Sequence, residues 1–215
     1  GDTISSVTLT QGGNTTLPAT QGAGVYSGAT NGILASAASG TGLDNYLITY
    51  LPGTLTINKA TLTVTADSQA RVYGDVNSTL TYTISGYVNG QNLGSSGVTC
   101  AAAISTTATQ GSNVGSYTIT SAANNLAATN YYFRYTDGPF TVNRRPVTVT
   151  AENKSKIYGD VNPVLTYTVA ANGVSGSRGL YDSDALTGDP TTTASKATSV
   201  VYPAITQGSL TNTNN

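Results

Sequence analysis

The sequence predicts an all-β protein built from tandem modules, because it repeats at a fixed spacing and alternates as strands do. The segment Ala60–Ala66 (Ala-Thr-Leu-Thr-Val-Thr-Ala) recurs as Arg145–Ala151, and the segment Val72–Asn77 recurs as Ile157–Asn162. The two offsets in residue number are equal (145 − 60 = 157 − 72). Similarity at a constant period is typical of an array of structural units rather than of one fold with a single site.

The segments within each repeat read as short strands. Thr61–Thr65 alternates Thr with aliphatic residues, and Thr81–Ile84 and Tyr131–Tyr135 are rich in β-branched and aromatic residues. Such residues suit a pleated, half-buried surface, and Gly, Asn, Asp and Pro cluster between the runs as turns require. No window shows a sustained 3.6-residue apolar period. The sequence therefore predicts small antiparallel modules arranged end to end. Each module is expected to be an Ig-like β-sandwich or, alternatively, a β-grasp-like fold.

A second signature fixes the module boundaries. The pair Asn45-Tyr46 recurs as Asn130-Tyr131, again at the repeat offset (130 − 45 = 145 − 60). We therefore expect three modules: 1–59 is the C-terminal part of a first module, 60–144 is a complete central module, and 145–215 is a third module without its final strands.

The incomplete outer modules lead to a hypothesis about completion. The third copy lacks a counterpart of the strand pair in Tyr131–Asn143, and the first copy lacks the strands that open a module. Open strand edges recruit strands from elsewhere. We expect completion by flanking modules of a longer protein or by neighbouring copies in a filament, with the 46–58 segment of one copy filling the third module of the next.

Composition excludes several function classes. Charged residues make up 9% of the chain and the net charge is −1, which argues against nucleic-acid binding. We read the basic pair Arg144-Arg145 as a solvated linker. No apolar run reaches the roughly 20 residues of a membrane span.

The single cysteine, Cys100, cannot form an intrachain disulfide, and with no histidine in the chain it is expected to be a small, semi-buried residue.

The motif Tyr73-Gly74-Asp75 is the strongest local signal. Glycine permits positive φ, so the chain can turn sharply there, and the aspartate can accept backbone N–H bonds in an Asx-type turn. A calcium ligand is the alternative, but calcium needs several converging oxygens and one carboxylate recurs. The acidic loop Asp182–Asp189 of the third copy is a separate open question for calcium binding. Its surroundings, residues 170–189, depart from the Gly-Tyr-Val-Asn-Gly pattern of the central copy, so binding could differ there.

Catalytic chemistry is nearly absent from the sequence. Histidine, tryptophan and methionine do not occur, and neither a phosphate loop nor a dinucleotide fingerprint is present. We predict no enzyme and no catalytic, cofactor-binding or metal-binding residues. Tyr117 and Tyr202 are read as core-edge tyrosines, each with its hydroxyl group reaching the backbone at a sheet corner.

Residues 59–143 contain, in this order, the motifs Lys-Ala-Thr-Leu-Thr-Val-Thr-Ala, Val-Tyr-Gly-Asp, Leu-Thr-Tyr-Thr-Ile-Ser-Gly, Val-Gly-Ser-Tyr-Thr-Ile-Thr and Gly-Pro-Phe-Thr-Val-Asn. With this set of motifs the segment resembles the MBG-type (YGX) repeat modules of large filamentous-haemagglutinin-like bacterial adhesins. It implies an extracellular, cell-surface stalk or filament segment that serves adhesion or biofilm attachment, with flanking modules as partners and host or matrix glycans as candidate ligands. The alternative is a glycan- or ligand-binding module.

Overall fold

A computed structural model of the chain describes residues 1–18, 20–174, 176–199 and 202–212. Within these ranges the helical structure is one short helix, α1 (Gly28–Asn31), and a 3-10 turn at Leu43–Asn45. All other regular elements of that part are strands, so the all-β prediction is confirmed. In chain order the strands are β1 (Thr3–Gln11), β2 (Gly24–Tyr26), β3 (Ile33–Thr41), β4 (Leu55–Ile57), β5 (Ala60–Ala66), β6 (Gln69–Val72), β7 (Tyr82–Ser85), β8 (Ala103–Thr106), β9 (Gly115–Ala122), β10 (Tyr131–Thr136), β11 (Gly138–Asn143), β12 (Val149–Ala151), β13 (Tyr167–Val169), β14 (Leu186–Thr187), β15 (Thr191–Thr192), β16 (Ile205–Thr206) and β17 (Thr211–Asn212).

The chain divides into two compact units. The first contains residues 1–66, 82–104 and 120–137, and the second contains residues 67–81, 105–119 and 138–215. Each unit therefore combines segments from more than one sequence repeat. The predicted module boundaries, and the choice between an Ig-like sandwich and a β-grasp-like module, stay predictions.

The first unit contains a three-stranded sheet with β5 at its centre. β10 is parallel to β5, and β7 is antiparallel to β5. In the β5–β7 pair Val64 lies opposite Ile84. The side chains of Leu62 and Val64 are 0% exposed. The alternation of Thr and aliphatic residues places every second side chain on the same face of β5, which explains this burial.

Two further antiparallel pairs in the first unit come from the first repeat. β1 pairs with β3, and β2 pairs with β4 so that Tyr26 lies opposite Leu55. In the central repeat the pair Tyr117 and Phe140 has the same relation between β9 and β11. The β2–β4 pair therefore repeats the β9–β11 pair. The repeat offset relates Leu55 to Phe140 (140 − 55 = 145 − 60), whereas Tyr26 and Tyr117 lie further apart than that offset.

The second unit contains most of a four-stranded sheet in the order β6-β11-β9-β8. β11 pairs with β6 in parallel, with Phe140 opposite Gln69, and pairs with β9 in antiparallel direction. Phe140 and Val142 of β11 are almost fully buried. We expected antiparallel modules, and the parallel pairings of β5–β10 and β6–β11 differ from that expectation. Alternation of side chains is the same in either direction, so the sequence pattern does not reveal strand direction.

The third repeat, also in the second unit, reproduces part of this architecture. β12 pairs with β13 so that Val149 lies opposite Val169. This pair matches Val64 and Ile84 of the central repeat at the repeat offset (149 − 64 = 169 − 84). Two short antiparallel pairs follow, β14 with β17 and β15 with β16.

Candidate functional site: the Tyr-Gly-Asp turn and its contacts

The turn that the sequence predicted at the Tyr-Gly-Asp motif is present in both copies. The Asp75 N–H group donates to the Val72 carbonyl oxygen at 3.1 Å, and the Asp160 N–H group donates to the Ile157 carbonyl oxygen at 3.1 Å. The intervening glycines have φ values of +83° (Gly74) and +96°. A positive φ at the third turn position is the conformation that favours glycine, so the prediction is confirmed.

The role predicted for the Asp75 carboxylate was wrong. We expected it to accept backbone N–H groups, but its described partners are two guanidinium groups. Arg178 Nη1 lies 2.9 Å from one carboxylate oxygen, and Arg145 Nη1 lies 3.5 Å from the other. Bonds between ionised groups are stronger than those to neutral N–H groups, so the carboxylate favours these partners. Both arginines follow residue 144, whereas Asp75 belongs to the central repeat.

Arg145 is the centre of this cluster. Its Nε atom donates to the Gly179 carbonyl oxygen at 2.8 Å, and its Nη2 atom donates to the Arg178 carbonyl oxygen at 2.6 Å. Its Nη1 atom also donates to the Tyr73 carbonyl oxygen at 3.2 Å. The side chain is only 14% exposed. The rigid fork of donors on a guanidinium group suits this several-way bridge.

The solvated-linker interpretation therefore holds for one member of the basic pair and is wrong for the other. Arg144 is exposed, as predicted. Arg145 is bonded to both sides of the junction between the central and third repeats. Two adjacent basic residues give no sequence signal of which one bonds across the junction, because the acceptors come from distant loops.

The same cluster contains an aromatic contact that the sequence did not indicate. The rings of Tyr73 and Tyr181 meet edge to face, with 5.4 Å between centroids and an angle of 79° between planes. The Tyr181 ring lies against Gly74, where a Cβ atom would be 2.6 Å from its Cδ2 atom. The glycine therefore provides close approach as well as positive φ. The Tyr73 hydroxyl group is 3.5 Å from an oxygen of Asp184 and can donate to it.

The loop that departs from the central pattern supplies these contacts. The Arg178 N–H group donates to the Pro146 carbonyl oxygen at 2.8 Å, and the buried Ser177 hydroxyl group donates to the Ala170 carbonyl oxygen at 2.9 Å. These bonds fix the backbone that presents Arg178. In the part of the chain that the structure describes, no group of three or more potential metal ligands is found, including around Asp182–Asp189.

The junction between the first and central repeats uses different chemistry. The Asn130 Oδ1 atom accepts the Ala23 N–H group at 2.8 Å, and the Asn130 carbonyl oxygen accepts the Ala60 N–H group at 3.0 Å. The Lys59 ammonium group donates to the Ala128 carbonyl oxygen at 3.0 Å. Ala60 is the counterpart of Arg145, so this junction has no guanidinium bridge at that position. Asn130 thus contributes an amide that binds the neighbouring repeat, whereas the Asn45 side chain donates to the Gly42 carbonyl oxygen of its own repeat.

A buried cation lies under the Tyr-Gly-Asp turn of the central repeat. The Arg71 guanidinium group donates to the Asn77 side chain at 2.7 Å, to the Val72 carbonyl oxygen at 3.2 Å and to the Thr109 carbonyl oxygen, and it lies 5.9 Å from the centre of the Phe140 ring. The side chain is 7% exposed, so these acceptors replace its hydration shell. In the third repeat Lys156 has the equivalent place.

The predictions for Tyr117, Tyr202 and Cys100 differ in their outcome. The Tyr117 hydroxyl group donates to the Asn113 carbonyl oxygen at 2.8 Å, as predicted. Tyr202 is 101% exposed, so its prediction as a core-edge residue is wrong. Cys100 was expected to be semi-buried, but it is exposed with φ of +68°, which places it on a loop.

A one-residue slip in the third repeat explains the error at Tyr202. The Asn77 Nδ2 atom donates to the Ala108 carbonyl oxygen, whereas the equivalent Asn162 donates to Ala194. The donors Asn77 and Asn162 are separated by the repeat offset (162 − 77 = 145 − 60). The acceptors Ala108 and Ala194 are separated by one residue more than this offset. Tyr202 is therefore not the structural counterpart of Tyr117.

Two titratable groups have shifted pKa values. The Thr166 hydroxyl group and the Lys154 ammonium group lower the pKa of the Glu152 carboxyl group by hydrogen bonding to it. Burial raises the pKa of Tyr87, whose ring meets that of Tyr131 edge to face at 6.2 Å. Neither group is part of a constellation that could transfer a proton to a substrate, so both are read as structural.

The register-matched repeats and the bonds across their junctions define a tandem-repeat β protein. The chain belongs to the MBG domain family of the YGX type, since the family's sequence model matches residues 62–141 and 147–215. The resemblance found from the sequence is thereby confirmed. Comparison with curated proteins and with solved structures gave no match in either case. Among the described residues, no helix combines the length and the hydrophobicity needed to cross a bilayer.

Proposed function

We propose that this chain is a non-catalytic stalk or filament segment of a secreted bacterial surface adhesin, exposed at the cell surface. Its task would be to carry a binding region away from the cell and to connect it to neighbouring modules. MBG domains of the YGX type occur in surface proteins. The low charge content and the repeat organisation support a spacer role.

The observation that carries the proposal is the bonding of Arg145. This side chain connects the Tyr-Gly-Asp turn of the central repeat to the 178–179 loop of the third repeat, with Asp75 and Arg178 closing the cluster. A hinge would leave the residues after β11 solvated. A part-buried, multiply bonded guanidinium group instead restricts bending at that point, which suits a spacer.

Small-angle X-ray scattering tests the spacer role. The chain is compared with a version in which residues 60–144 are inserted twice in tandem. Strands of about eight residues at about 3.3 Å per residue lead us to expect a gain of roughly 25–40 Å in maximum dimension for each inserted module. Growth of the maximum dimension as the cube root of mass would contradict the proposal. Arg145→Ala in the same series should broaden the distance distribution, whereas Arg144→Ala should leave it unchanged.

A glycan- or ligand-binding module is the second candidate. Tyr158 and Tyr202 are exposed and line a groove in the third repeat, where aromatic faces could stack on sugar rings. A labelled glycan panel tests this with the full chain and with a Tyr158→Ala, Tyr202→Ala double variant. Saturable binding that the double variant loses would favour the second candidate over a pure spacer.

A further inference from the structure

Three Asn-Gly pairs occur in the chain, at Asn31-Gly32, Asn89-Gly90 and Asn172-Gly173. An asparagine that precedes glycine can react with its own backbone, because glycine has no Cβ atom to hinder approach to its nitrogen. The reacting residues are the same in all three pairs. Differences in their reactivity in the folded chain must therefore come from the structure around each glycine nitrogen.

The reaction converts the side-chain amide into an acid without an enzyme. The glycine nitrogen loses its proton and forms a bond to Cγ of the asparagine, the bond from Cγ to the side-chain nitrogen breaks, and ammonia leaves. Water then opens the cyclic succinimide. Opening at one carbonyl gives aspartate, and opening at the other gives isoaspartate, which has an additional methylene group in the main chain. A glycine N–H group that already donates a hydrogen bond reacts more slowly, because that bond must first be broken.

Two of the three glycine nitrogens donate such a bond. The Gly32 N–H group donates to the Gly28 carbonyl oxygen at 2.9 Å at the end of α1, and Gly32 is buried. The Gly173 N–H group donates to the Ser177 carbonyl oxygen at 2.8 Å. Ser177 is only 2% exposed and its hydroxyl group is bonded to the Ala170 carbonyl oxygen, so this acceptor is held in place.

Gly90 lies in a different environment. The Gln91 N–H group donates to the Val88 carbonyl oxygen at 3.1 Å, and φ is +55° at Asn89 and +69° at Gly90. Positive φ at both central positions defines a type I′ turn, in which Asn-Gly is favoured. Both central residues are exposed, and nothing lies within 4 Å of a Cβ atom at Gly90. Among the residues that the structure describes, no acceptor is found for the Gly90 N–H group.

We propose that Asn89-Gly90 is a site of spontaneous deamidation in the folded protein, and that folding protects Asn31 and Asn172 from the same reaction. The product at position 89 is a mixture of aspartate and isoaspartate. Its carboxyl group is ionised at neutral pH, so each event adds a negative charge to a chain whose net charge is −1. The proposal assigns a covalent modification and is independent of the spacer role.

The modification also affects a buried residue through the two ends of the turn. The Val88 N–H group donates to the Tyr131 hydroxyl oxygen at 3.2 Å, and that hydroxyl group donates to Oε1 of Gln91. Tyr131 is 1% exposed and lies in the same unit as the turn. The additional methylene group of isoaspartate changes the spacing between Val88 and Gln91. The two bonds to the hydroxyl group then cannot both keep their geometry, and the turn loosens over Tyr131.

Mass spectrometry of tryptic peptides tests the proposal on the full chain. Trypsin places each Asn-Gly pair on a different peptide, within residues 1–59, 72–134 and 157–178. The chain is incubated at neutral pH both folded and unfolded in urea, with unincubated protein as the blank. In the folded chain we expect deamidation of Asn89 to be at least tenfold faster than that of Asn31 and of Asn172, whereas the three rates in urea should be similar.

A smaller ratio in the folded chain would overturn the proposal. If Asn89 exceeds the other two by the same ratio in urea, the fold is not the cause and the proposal is also wrong. These comparisons need no variant, so they do not depend on how a substitution folds, and they do not depend on the scattering result that tests the spacer role.

Two matched variants locate the reaction within the peptide 72–134. Asn89→Gln should abolish the fast signal because glutamine must close a larger ring, whereas Asn92→Gln should retain it because Leu93 follows Asn92. Circular dichroism checks that both variants are folded. A fast signal that survives Asn89→Gln would contradict the assignment. The acidic form, separated by ion exchange, should exchange its Val88 amide hydrogen at least threefold faster than the unreacted form, and unchanged exchange would overturn the effect on Tyr131.

Discussion

The carboxylate of Asp75 and the guanidinium group of Arg178 lie 2.9 Å apart, although they belong to different sequence repeats. Arg145 completes this ion cluster from the first residues of the third repeat. The Tyr-Gly-Asp turn of the central repeat is therefore a contact point for the third repeat as well as a reversal of the chain.

Removing the guanidinium group of Arg145 should destabilise the third repeat. Arg145→Ala leaves the carbonyl groups of Tyr73, Arg178 and Gly179 without their shared donor, and we expect a loss of about 1–3 kcal/mol. Hydrogen exchange in 147–170 measures this. The control Arg144→Ala should change stability by less than about 0.5 kcal/mol because that side chain is exposed. Equal effects of the two variants would contradict the bridging role.

The two turn aspartates should respond differently to substitution. Asp75→Ala removes the partner of two arginines, and we expect a cost of roughly 0.5–2 kcal/mol. Asp160→Ala is the matched control, because no ion pair of Asp160 is found among the described residues. Thermal melts with and without a calcium chelator complete the test. A midpoint that falls on chelation only while Asp75 is present would support calcium binding instead.

Alanine substitutions at the two turn glycines, Gly74 and Gly159, can be compared in the same way. Both have positive φ, so alanine at either position should cost about 1–2 kcal/mol. Gly74→Ala also forces a Cβ atom into the Tyr181 ring, whereas nothing lies within 4 Å of a Cβ atom at Gly159. We therefore expect an additional cost of roughly 1–3 kcal/mol for Gly74→Ala. Chemical denaturation measures both variants, and a smaller effect at Gly74 would be evidence against the close approach.

The buried ring of Phe140 should be a main source of stability in the four-stranded sheet. The side chain is fully buried and packs under the Arg71 guanidinium group. Phe140→Ala should cost about 3–5 kcal/mol, and Phe140→Leu should retain much of the stability. Denaturation monitored by near-ultraviolet circular dichroism makes the comparison. A loss below about 1 kcal/mol for Phe140→Ala would be inconsistent with a central place in the core.

Glu152 should contribute to a mild dependence of stability on pH. Thr166 Oγ1 donates to its carboxylate at 2.5 Å and Lys154 Nζ lies 3.1 Å away, so its pKa in the folded state is lowered. The contribution is present above the carboxyl pKa of the unfolded chain, about 4.3, and is lost as pH falls through the lower folded pKa.

A nuclear magnetic resonance titration can follow Glu152 without ambiguity, because it is the only glutamate in the sequence. Thr166→Val should raise its pKa by removing the hydroxyl donor, and Thr168→Val should not. A pKa that Thr166→Val leaves unchanged would mean that the hydroxyl bond is not the main cause.

The sequence by itself determined the repeat spacing, the strand segments and the Tyr-Gly-Asp turns. These features are local: alternation selects strands, and glycine selects a positive φ at Gly74 and Gly159. The repeat offset also relates the strand pairs β5–β7 and β12–β13, although the pairings themselves were seen only in the structure. The one-residue slip that separates Tyr202 from Tyr117 was missed, although the sequence carries a sign of it: Thr106-Thr107-Ala108 recurs as Thr192-Thr193-Ala194, one position beyond the repeat offset.

Only the tertiary structure decided the strand directions and the chemistry of the junction. A pleated strand shows the same alternation whether its neighbour is parallel or antiparallel, so β6 and β11 carry no sequence sign of their pairing. The partners of Asp75 lie in a loop of the next repeat, where no periodic pattern links them. The hydrogen bonds of Arg145 depend on carbonyl groups of Tyr73 and Gly179, and any residue has a carbonyl group. Contacts made by such common groups are specified by the position of the backbone in space and not by residue type.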